Sequence, residues 1–377
     1  MKSTFTRPLA IGAAATLVFA LSACGNDNPT GSEAPAGNDS GKTASEAPKS
    51  DDAAKVTGTL AGAGASSQKA AIAAWKAGFE SANSGAQVEY DPVGSGSGVK
   101  KFLAKEVAFA GSDEVLKEKD QAAAKERCGA DAIHLPVYIS PIAVVFNLDG
   151  VQSLNLSAAN VAKIFAGQIT KWNDPAIVAE NDGVNLPDLA ITPVHRADGS
   201  GTTYNFTEWL HAAAPDVWTN EAGKKWPLEG TNGEKTQGVV DLVKNGKGSI
   251  GYVDDSAATG LGKANIKGSG DAYVAISADA AAKTLDESEL AGASANDLAY
   301  KINRTPKAAD AYPIILVSYD VVCTKYPAEE GNLVKAFVKY ETSKEGQEAA
   351  AGAAGSAPIS DGLRDKINTA LDSITVE

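Results

Sequence analysis

Hydrophobic and polar positions follow two different periods along the chain from residue 56 onward. Apolar alternation and short apolar runs predict strands at 56–60, 86–90, 107–111, 133–147, 191–196, 249–253 and 312–323. Apolar residues at helical spacing predict helices at 67–80, 99–105, 114–127, 160–165, 206–210, 239–244 and 331–348. Pro136 and Pro141 are expected to interrupt the run at 133–147. Strands that alternate with helices are typical of an α/β protein with mostly parallel sheets.

Three segments rich in Gly and Ser stand directly before helical patterns, at residues 62–67, 94–98 and 196–202. The first turn of a helix has unpaired N–H groups and a partial positive charge, so it binds anions. Glycine allows the backbone to approach a ligand closely. A serine at such a position can simply cap its helix. Three such segments at the carboxyl ends of predicted strands favour a shared anion site.

The third segment also contains an arginine and a carboxylate. Arg196 offers a planar set of N–H donors that suits an oxyanion, and Asp198 is placed to orient it. This segment is therefore the strongest single indication of an oxyanion-binding site.

The first residues resemble an export signal rather than part of a fold. Lys2 and Arg7 precede an apolar stretch at 9–21 that is too short to span a bilayer. The sequence Leu-Ser-Ala-Cys at 21–24 resembles the bacterial lipobox, in which Cys24 becomes the lipidated first residue. We expect residues 1–23 to be a signal peptide and Cys24 to anchor the protein at the extracytoplasmic face of the cell membrane. An ordinary signal peptide with a chance cysteine is the alternative.

Residues 24–55 have the composition of a flexible linker. They are rich in Gly, Ser, Asn, Asp and Pro and contain no aromatic residue, so they cannot bury enough surface to fold. If this linker has the dimensions of a random coil, its two ends lie about 30 Å apart on average. We expect this linker to hold the folded part away from the membrane.

Length, charge and cysteine content limit the possible functions. About 320 residues after the linker suit two lobes. A net charge of −13 argues against nucleic acid or anionic lipid as a partner. No Cys/His spacing fits a zinc site, and we expect neither a metal nor an organic cofactor. Export favours a disulfide between Cys128 and Cys323, and two buried free thiols are the alternative.

Six segments together resemble the phosphate-binding proteins of bacterial phosphate-specific (Pst) ABC transporters. They occur in the order of that family and span most of the chain after the linker. These segments are Gly-Ala-Gly-Ala-Ser-Ser at 62–67, Gly-Ser-Gly-Ser-Gly-Val-Lys at 94–100, Phe-Ala-Gly-Ser-Asp at 109–113, residues 164–175, Arg-Ala-Asp-Gly-Ser-Gly-Thr at 196–202 and Gly-Ser-Ile-Gly-Tyr-Val at 248–253.

The resemblance implies a type II periplasmic-binding-protein fold, in which two α/β lobes joined by a hinge enclose phosphate. Residues 56–143 and 314–377 would form one lobe, and residues 144–313 the other. The strands that cross between the lobes are expected near 138–145 and 311–317. Cys128 and Cys323 would then lie in the same lobe.

The resemblance also implies the ligand contacts. Hydrogen-bond donors would be Ser66, Ser95, Arg196, Ser200 and Thr202, with the backbone N–H groups of Ser67 and Gly201. Asp113 would accept a proton of the phosphate, and Asp198 would hold Arg196. The family commonly has Ala-Thr-Phe-Pro where this chain has Ala-Ser-Ser-Gln at 65–68. Ser66 keeps the hydroxyl, and the N–H of Ser67 does not depend on its side chain.

The implied function is a monomeric phosphate receptor that delivers its ligand to permease and ATPase subunits and is not an enzyme. A hydrolase using Ser200 with His195 or Asp198 is an alternative, but the glycine two residues before a nucleophilic Ser is missing. A binder of sulfate, molybdate or tungstate is another, against which Asp113 argues because a carboxylate only accepts hydrogen bonds. A phosphate sensor without a transporter is the third.

Overall fold

The computed structural model describes residues 55–377. The predicted signal peptide, Cys24 and the predicted linker up to residue 54 lie outside the described residues. Within residues 55–377, no helix combines the length and apolarity needed to cross a membrane.

Strands and helices follow one another closely in the described part of the chain. The strands are β1 Gly58–Gly64, β2 Ala86–Asp91, β3 Phe109–Ser112, β4 Ala132–Phe146, β5 Ser153–Leu156, β6 Thr192–Arg196, β7 Thr231–Gly233, β8 Ser249–Asp254, β9 Gly262–Lys267, β10 Tyr273–Val274, β11 Glu289–Leu290, β12 Tyr300–Lys301, β13 Ile315–Cys323, β14 Lys325–Tyr326 and β15 Thr375–Val376. The helices are α1 Lys69–Ala82, α2 Ser95–Leu103, α3 Glu118–Cys128, α4 Ala158–Phe165, α5 Pro175–Val178, α6 Gly201–Ala213, α7 Lys235–Asn245, α8 Ala278–Asp286, α9 Ala328–Glu341, α10 Lys344–Ala354 and α11 Asp361–Asp372.

One mixed sheet of eleven strands forms the framework. Its main path runs in the order β2-β1-β3-β13-β4-β8-β6-β7. Strands β1, β2 and β3 are parallel at one end, and β6, β7 and β8 are parallel at the other. The central pairs β3–β13, β13–β4 and β4–β8 are antiparallel. The prediction of mostly parallel sheets was therefore wrong for the centre, where long strands pass between two parallel groups.

Strand β4 joins the two halves of this sheet. Its residues 132–141 pair with β13, and its residues 142–146 pair with β8. The two prolines do not interrupt it, contrary to the prediction. Pro136 lies opposite Tyr319 at a shift in register, and Pro141 is the last residue paired with β13. A proline has no N–H to donate, so these irregular positions accommodate it within a continuous strand.

Aromatic side chains pack together in both halves of the sheet, within one continuous hydrophobic core. In the first half, Phe79 of α1 packs edge-on against Phe337 of α9 at 5.2 Å between ring centroids. In the second half, Phe206 of α6 stacks on Tyr252 of β8 at 4.3 Å. Burying a side chain of this size stabilises the fold by about 1.5–3 kcal/mol. The two parallel groups of strands at opposite ends of the sheet, each with its own helices, fit the two lobes that the resemblance implied.

A disulfide joins the end of α3 to the end of β13. The sulfur atoms of Cys128 and Cys323 are bonded, with 5.5 Å between the two Cα atoms. The bond spans a sequence separation of 195 residues. In the chain-entropy model a loop of that size corresponds to a stabilisation on the order of 5 kcal/mol as an upper figure.

Two predicted helices have different bounds in the structure. The helix expected at 114–127 begins only at Glu118. Residues 113–117, which follow β3, have no helical structure. The helix expected at 331–348 is two helices, and Ser343 caps the second by accepting from the N–H of Gly346. The pattern did not reveal α8, α11 or the short strands β5, β9, β10, β11, β12, β14 and β15.

Two carboxylic acids are completely buried between β13 and α9 in the first half of the sheet. Asp320 of β13 and Glu341 of α9 are both 0% exposed, and their four carboxyl oxygens have no hydrogen-bond partner within the described residues. Burial raises the pKa of Asp320 to about 7. Burial and the neighbouring Asp320 raise the pKa of Glu341 well above its ordinary value. Because two charges cannot be accommodated there, we infer that the pair retains a proton at neutral pH.

We predict that this acid pair makes the fold less stable as the pH rises. Below pH 4 the folded and unfolded chains both hold the protons, so the stability is fully present. Above pH 4 the unfolded chain releases its protons while the folded chain retains them, and stability falls until the pH exceeds the folded pKa values. Each unit of pKa elevation corresponds to about 1.4 kcal/mol. Asp320→Asn removes part of this penalty. The amount by which its melting temperature exceeds that of the unsubstituted protein should therefore increase from pH 5 to pH 8.

Thermal unfolding measured across that pH range tests the prediction. Asp216→Asn changes an exposed carboxylate and serves as the matched control. A difference in melting temperature between Asp320→Asn and the unsubstituted protein that stays constant with pH would contradict it.

Candidate functional site

The turn between β1 and α1 contributes the first group of predicted residues. Ser66 Oγ lies 2.9 Å from Thr236 Oγ1 at the start of α7, in the other lobe. Ser67 Oγ donates to both carboxylate oxygens of Asp113, at 2.8 and 2.9 Å. Gly64 makes this turn possible, because a Cβ there would lie 2.0 Å from the carbonyl oxygen of Gly111.

The start of α2 contributes Ser95. Its Oγ accepts a hydrogen bond from the backbone N–H of Asp113 at 3.2 Å, which leaves the hydroxyl hydrogen free for a ligand. The neighbouring Gly96 N–H donates to the carbonyl oxygen of Gly199 at 3.0 Å. This backbone contact joins the α2 turn of one lobe to the α6 turn of the other.

The turn between β6 and α6 holds an oriented arginine. Arg196 donates through Nε to Asp198 Oδ1 at 2.7 Å and through Nη2 to Oδ2 at 2.5 Å. Burial alone would raise the pKa of Asp198, but these hydrogen bonds and the charge of Arg196 outweigh burial and lower it. Nη1 of Arg196 has no hydrogen-bond partner among residues 55–377 and is available to a ligand.

The first turn of α6 presents three further donors. Ser200 caps this helix, since its Oγ accepts from the N–H of Thr203 at 3.2 Å, and its own hydroxyl hydrogen remains free. Gly201 is the first helical residue, so its N–H has no partner within the helix. Thr202 Oγ1 is buried and has no hydrogen-bond partner in the described part of the chain.

Asp113 follows β3 and is only 3% exposed. Its carboxylate accepts from Ser67 and from the Ser318 hydroxyl on β13. Burial raises the pKa of Asp113, and Ser318, Ser67 and the charge of Arg196 offset this in part. Asp113 does not cap the following helix, because α3 begins at Glu118 with Lys117 as its N-cap.

These residues converge at the boundary between the lobes. A Cβ on Gly201 would lie 2.5 Å from Asp113 Cβ and 2.7 Å from Ser95 Oγ. A Cβ on Gly94 would lie 2.5 Å from Asp198 Oδ2 and 3.4 Å from Arg196 Nη2. Residues predicted from three distant segments therefore lie close together, and Ser66 joins them through its contact with Thr236.

Several residues at this site were missed in the sequence. Asn205 donates to the backbone carbonyl of Asp113 at 2.6 Å and so connects α6 to the opposite lobe. Lys224 lies 3.3 Å from the buried carboxylate of Glu114 and forms a second bridge across the cleft. Ser318 lies within the apolar run at 312–323. A polar residue in such a run was the signal that could have identified it.

The hydrolase alternative finds no support in the side-chain geometry. His195 is buried, stacks on Trp226 at 5.2 Å and places Nδ1 3.0 Å from the carbonyl oxygen of Arg196. Ser200 Oγ bonds to a helical N–H and makes no hydrogen bond to a histidine in the described residues. Residues 55–377 also contain no cluster of three or more His, Cys, Asp or Glu that could hold a metal ion.

The site is chemically asymmetric. Hydroxyl groups, backbone N–H groups and one guanidinium point to it as donors, while Asp113 is a carboxylate acceptor. Such a set fits a small oxyanion that also carries a hydrogen to donate.

Comparisons with known proteins agree on one family. Residues 49–345 match the PBP superfamily domain. Phosphate-binding protein PstS 3 of Mycobacterium tuberculosis H37Rv is 39% identical over 375 residues, covering 97% of this chain and 98% of its own length. PstS 2 of the same strain is 35% identical over 374 residues, covering 96% of each. A solved phosphate-binding protein from Stenotrophomonas maltophilia aligns with a TM-score of 0.64 at 21% identity, over 83% of this chain and 93% of that one. This last likeness concerns the fold alone.

Proposed function

Because the chain belongs to the PBP superfamily, and within it to the PstS phosphate-binding proteins, we propose that it binds inorganic phosphate between its lobes for import by an ABC transporter. The observation that carries this proposal is the buried Asp113 carboxylate among donors from both lobes. Phosphate retains at least one proton at neutral pH and can donate it to Asp113, while its other oxygens accept from the donors.

We assign the ligand contacts as the resemblance implied. Each of these residues has a donor or acceptor group whose position at the site is compatible with that role. The donors are Ser66, the Ser67 N–H, Ser95, Arg196, Ser200, the Gly201 N–H and Thr202; Asp113 is the acceptor and Asp198 orients Arg196. Sulfate or molybdate would face the Asp113 carboxylate without a proton, so the site favours phosphate over those ions.

The proposed lobes are residues 56–143 with 314–377, and residues 144–313. This division agrees with the change of partner along β4 between Pro141 and Ile142. It also explains why Ser66–Thr236, Gly96–Gly199 and Asp113–Asn205 contacts can form only when the lobes meet. We propose that the protein acts as a monomeric, non-catalytic receptor whose closed form docks on the permease and ATPase subunits.

We also propose that Cys24 anchors the receptor to the cell membrane at its extracytoplasmic face. The support is the basic start, the short apolar stretch and the lipobox-like sequence before Cys24. Residues 24–55 would then serve as the tether between the lipid and the folded lobes.

We predict that Asp113 determines the selectivity for phosphate over sulfate. A buried carboxylate accepts a hydrogen bond from P–OH but repels an ion that has no proton to donate. Sites that depend on such a hydrogen bond can reject the analogue lacking it by about 10⁴-fold. In Asp113→Asn, calorimetry should show the phosphate-to-sulfate affinity ratio collapsing, while phosphate affinity falls less because Asn keeps a carbonyl acceptor.

Arg196→Ala provides the contrast for this measurement. It removes a donor that either anion would use, so phosphate binding should weaken without admission of sulfate. Full discrimination by Asp113→Asn would show that selectivity has another origin.

We predict that the close approach of Gly201 to Asp113 is required for closure of the lobes around phosphate. A methyl group at this position would approach Asp113 Cβ to 2.5 Å, and relieving such an overlap costs about 1–3 kcal/mol. Gly201→Ala should therefore weaken phosphate binding by about tenfold or more. Its radius of gyration, measured by X-ray scattering, should decrease less on phosphate addition than that of the unsubstituted protein.

Gly199→Ala is the matched control on the same turn, because a Cβ there meets only Gly96 Cα, at 3.7 Å. Phosphate must first be removed from each preparation. If Gly201→Ala binds and contracts like Gly199→Ala, the proposed closure contact is wrong.

We predict that the mature protein begins at a Cys24 that carries two or three acyl chains. Two or more chains give stable membrane attachment, whereas one chain is marginal. Mass spectrometry of the mature N-terminus decides the point, and Cys24→Ala should release the protein from the membrane fraction. An unmodified N-terminus at another residue would refute the anchor.

A further inference from the structure

The hydrogen bonds that Asp113 already makes limit what its carboxylate can still accept. A carboxylate offers about four acceptor positions, two on each oxygen. Oδ1 receives the hydroxyls of both Ser318, at 2.5 Å, and Ser67, at 2.8 Å. Among residues 55–377, Oδ2 receives only the shared hydroxyl of Ser67, at 2.9 Å. The open acceptor capacity is therefore concentrated on Oδ2.

Gln68 determines the direction in which the Ser318 hydroxyl points. Gln68 is 0% exposed, and its Nε2 donates to Ser318 Oγ at 2.8 Å. An amide nitrogen only donates, so the hydroxyl of Ser318 accepts on that side and must direct its hydrogen to Asp113. The Gln68 Oε1 atom lies 3.1 Å from the hydroxyl of Tyr90, whose single hydrogen it shares with the carbonyl oxygen of Ala65, also at 3.1 Å.

We propose that Ser67, Gln68 and Ser318 are positioning residues that direct two hydroxyl hydrogens at Asp113 and thereby keep it a charged acceptor with Oδ2 open to one P–OH group. This inference rests on the proposed phosphate function. Ser67 and Ser318 act on Asp113 directly, and Gln68 acts through Ser318.

The arrangement matters because Asp113 is buried. Burial favours the protonated acid, and a protonated Asp113 would present a donor to phosphate where an acceptor is needed. Hydrogen bonds to the ionised form oppose this, and one to a charged group contributes tenfold to a hundredfold to such an equilibrium, roughly one pH unit or more. The hydroxyls of Ser67 and Ser318 therefore extend phosphate binding toward lower pH.

The substitutions that test this inference replace none of the other ionisable residues around Asp113. Arg196 approaches from the opposite lobe and lowers the pKa of Asp113. Tyr90 and Asp320 lie near Gln68, Asp198 lies beside Arg196, and Lys117 and Lys224 lie at Glu114. The other ionisable groups line a cavity together with Asp113: Glu114, His134, Tyr204, Glu208, Asp297, Tyr300, Lys301, Arg304 and Tyr319.

Calorimetric titration with inorganic phosphate between pH 5 and pH 8.5 tests the inference. Ser318→Ala removes one hydroxyl from Asp113. Gln68→Met keeps the length of the side chain and removes the amide that directs Ser318. Both variants should bind phosphate within a few-fold of the unsubstituted protein at pH 8. As the pH is lowered, both variants should lose phosphate affinity at a higher pH than the unsubstituted protein does. The pH at which affinity falls should rise by about one unit in Ser318→Ala and by less in Gln68→Met.

The double variant tests whether the residues form one relay. Because Gln68 acts through Ser318, adding Gln68→Met to Ser318→Ala should cause little further displacement of the pH profile. Ser249→Ala removes a buried hydroxyl in the other lobe and should leave the profile unchanged. Gln68→Met keeps the Ser318 hydroxyl in place, so it tests the relay even if Ser318→Ala does not fold.

Each outcome has a distinct meaning. Profiles that run parallel to that of the unsubstituted protein at every pH, or additive displacements in the double variant, would overturn the relay while leaving phosphate binding intact. Absence of phosphate binding by the unsubstituted protein would instead refute the proposed function.

Discussion

A single buried carboxylate organises the cleft of this protein. Asp113 lies where the two lobes meet, and a charge removed from water is tolerated only with compensating hydrogen bonds or an opposite charge. Hydroxyls of Ser67 and Ser318 provide that compensation from its own lobe, and Arg196 provides it from the other. The donors of the candidate site are therefore arranged around Asp113, and for this reason the proposed anion binding, selectivity and closure all depend on this one residue.

The second requirement is close approach of the two backbones. Gly96 and Gly199 share a backbone hydrogen bond across the cleft, and Gly201 leaves no room for a side chain beside Asp113. Glycine satisfies both conditions because it has no Cβ. The glycines of the three turns thus allow the backbones to approach closely, which the proposed phosphate contacts and the proposed closure both require. A larger residue at Gly201 would keep the donors in place but hold the lobes apart.

The sequence predicted the α/β class and the segments that form the site, because Gly, Ser and Arg before helical patterns have a direct physical meaning. It did not predict the mixed centre of the sheet, since nothing local distinguishes a buried parallel strand from a long antiparallel one such as β4. The sequence pattern predicted interruptions at Pro136 and Pro141, because the sequence does not reveal which residues of β13 lie opposite them. Ser318 and Asn205 were missed because their roles depend on contacts with Asp113, about 200 and 90 positions away.

The first lobe buries carboxyl groups in two opposite ways, and Gln68 lies between them. Asp113 is surrounded by donors that favour its charge, whereas Asp320 and Glu341 face each other and retain a proton. The amide of Gln68 donates to Ser318 on the Asp113 side, and Asp320 lies on the same strand two residues beyond Ser318. A glutamate at that position would add a third carboxylate and compete for the same proton, and a hydrocarbon would leave Ser318 free to rotate. An amide can orient the hydroxyl without ionising, and this property separates the acid pair that retains a proton from the charged acceptor.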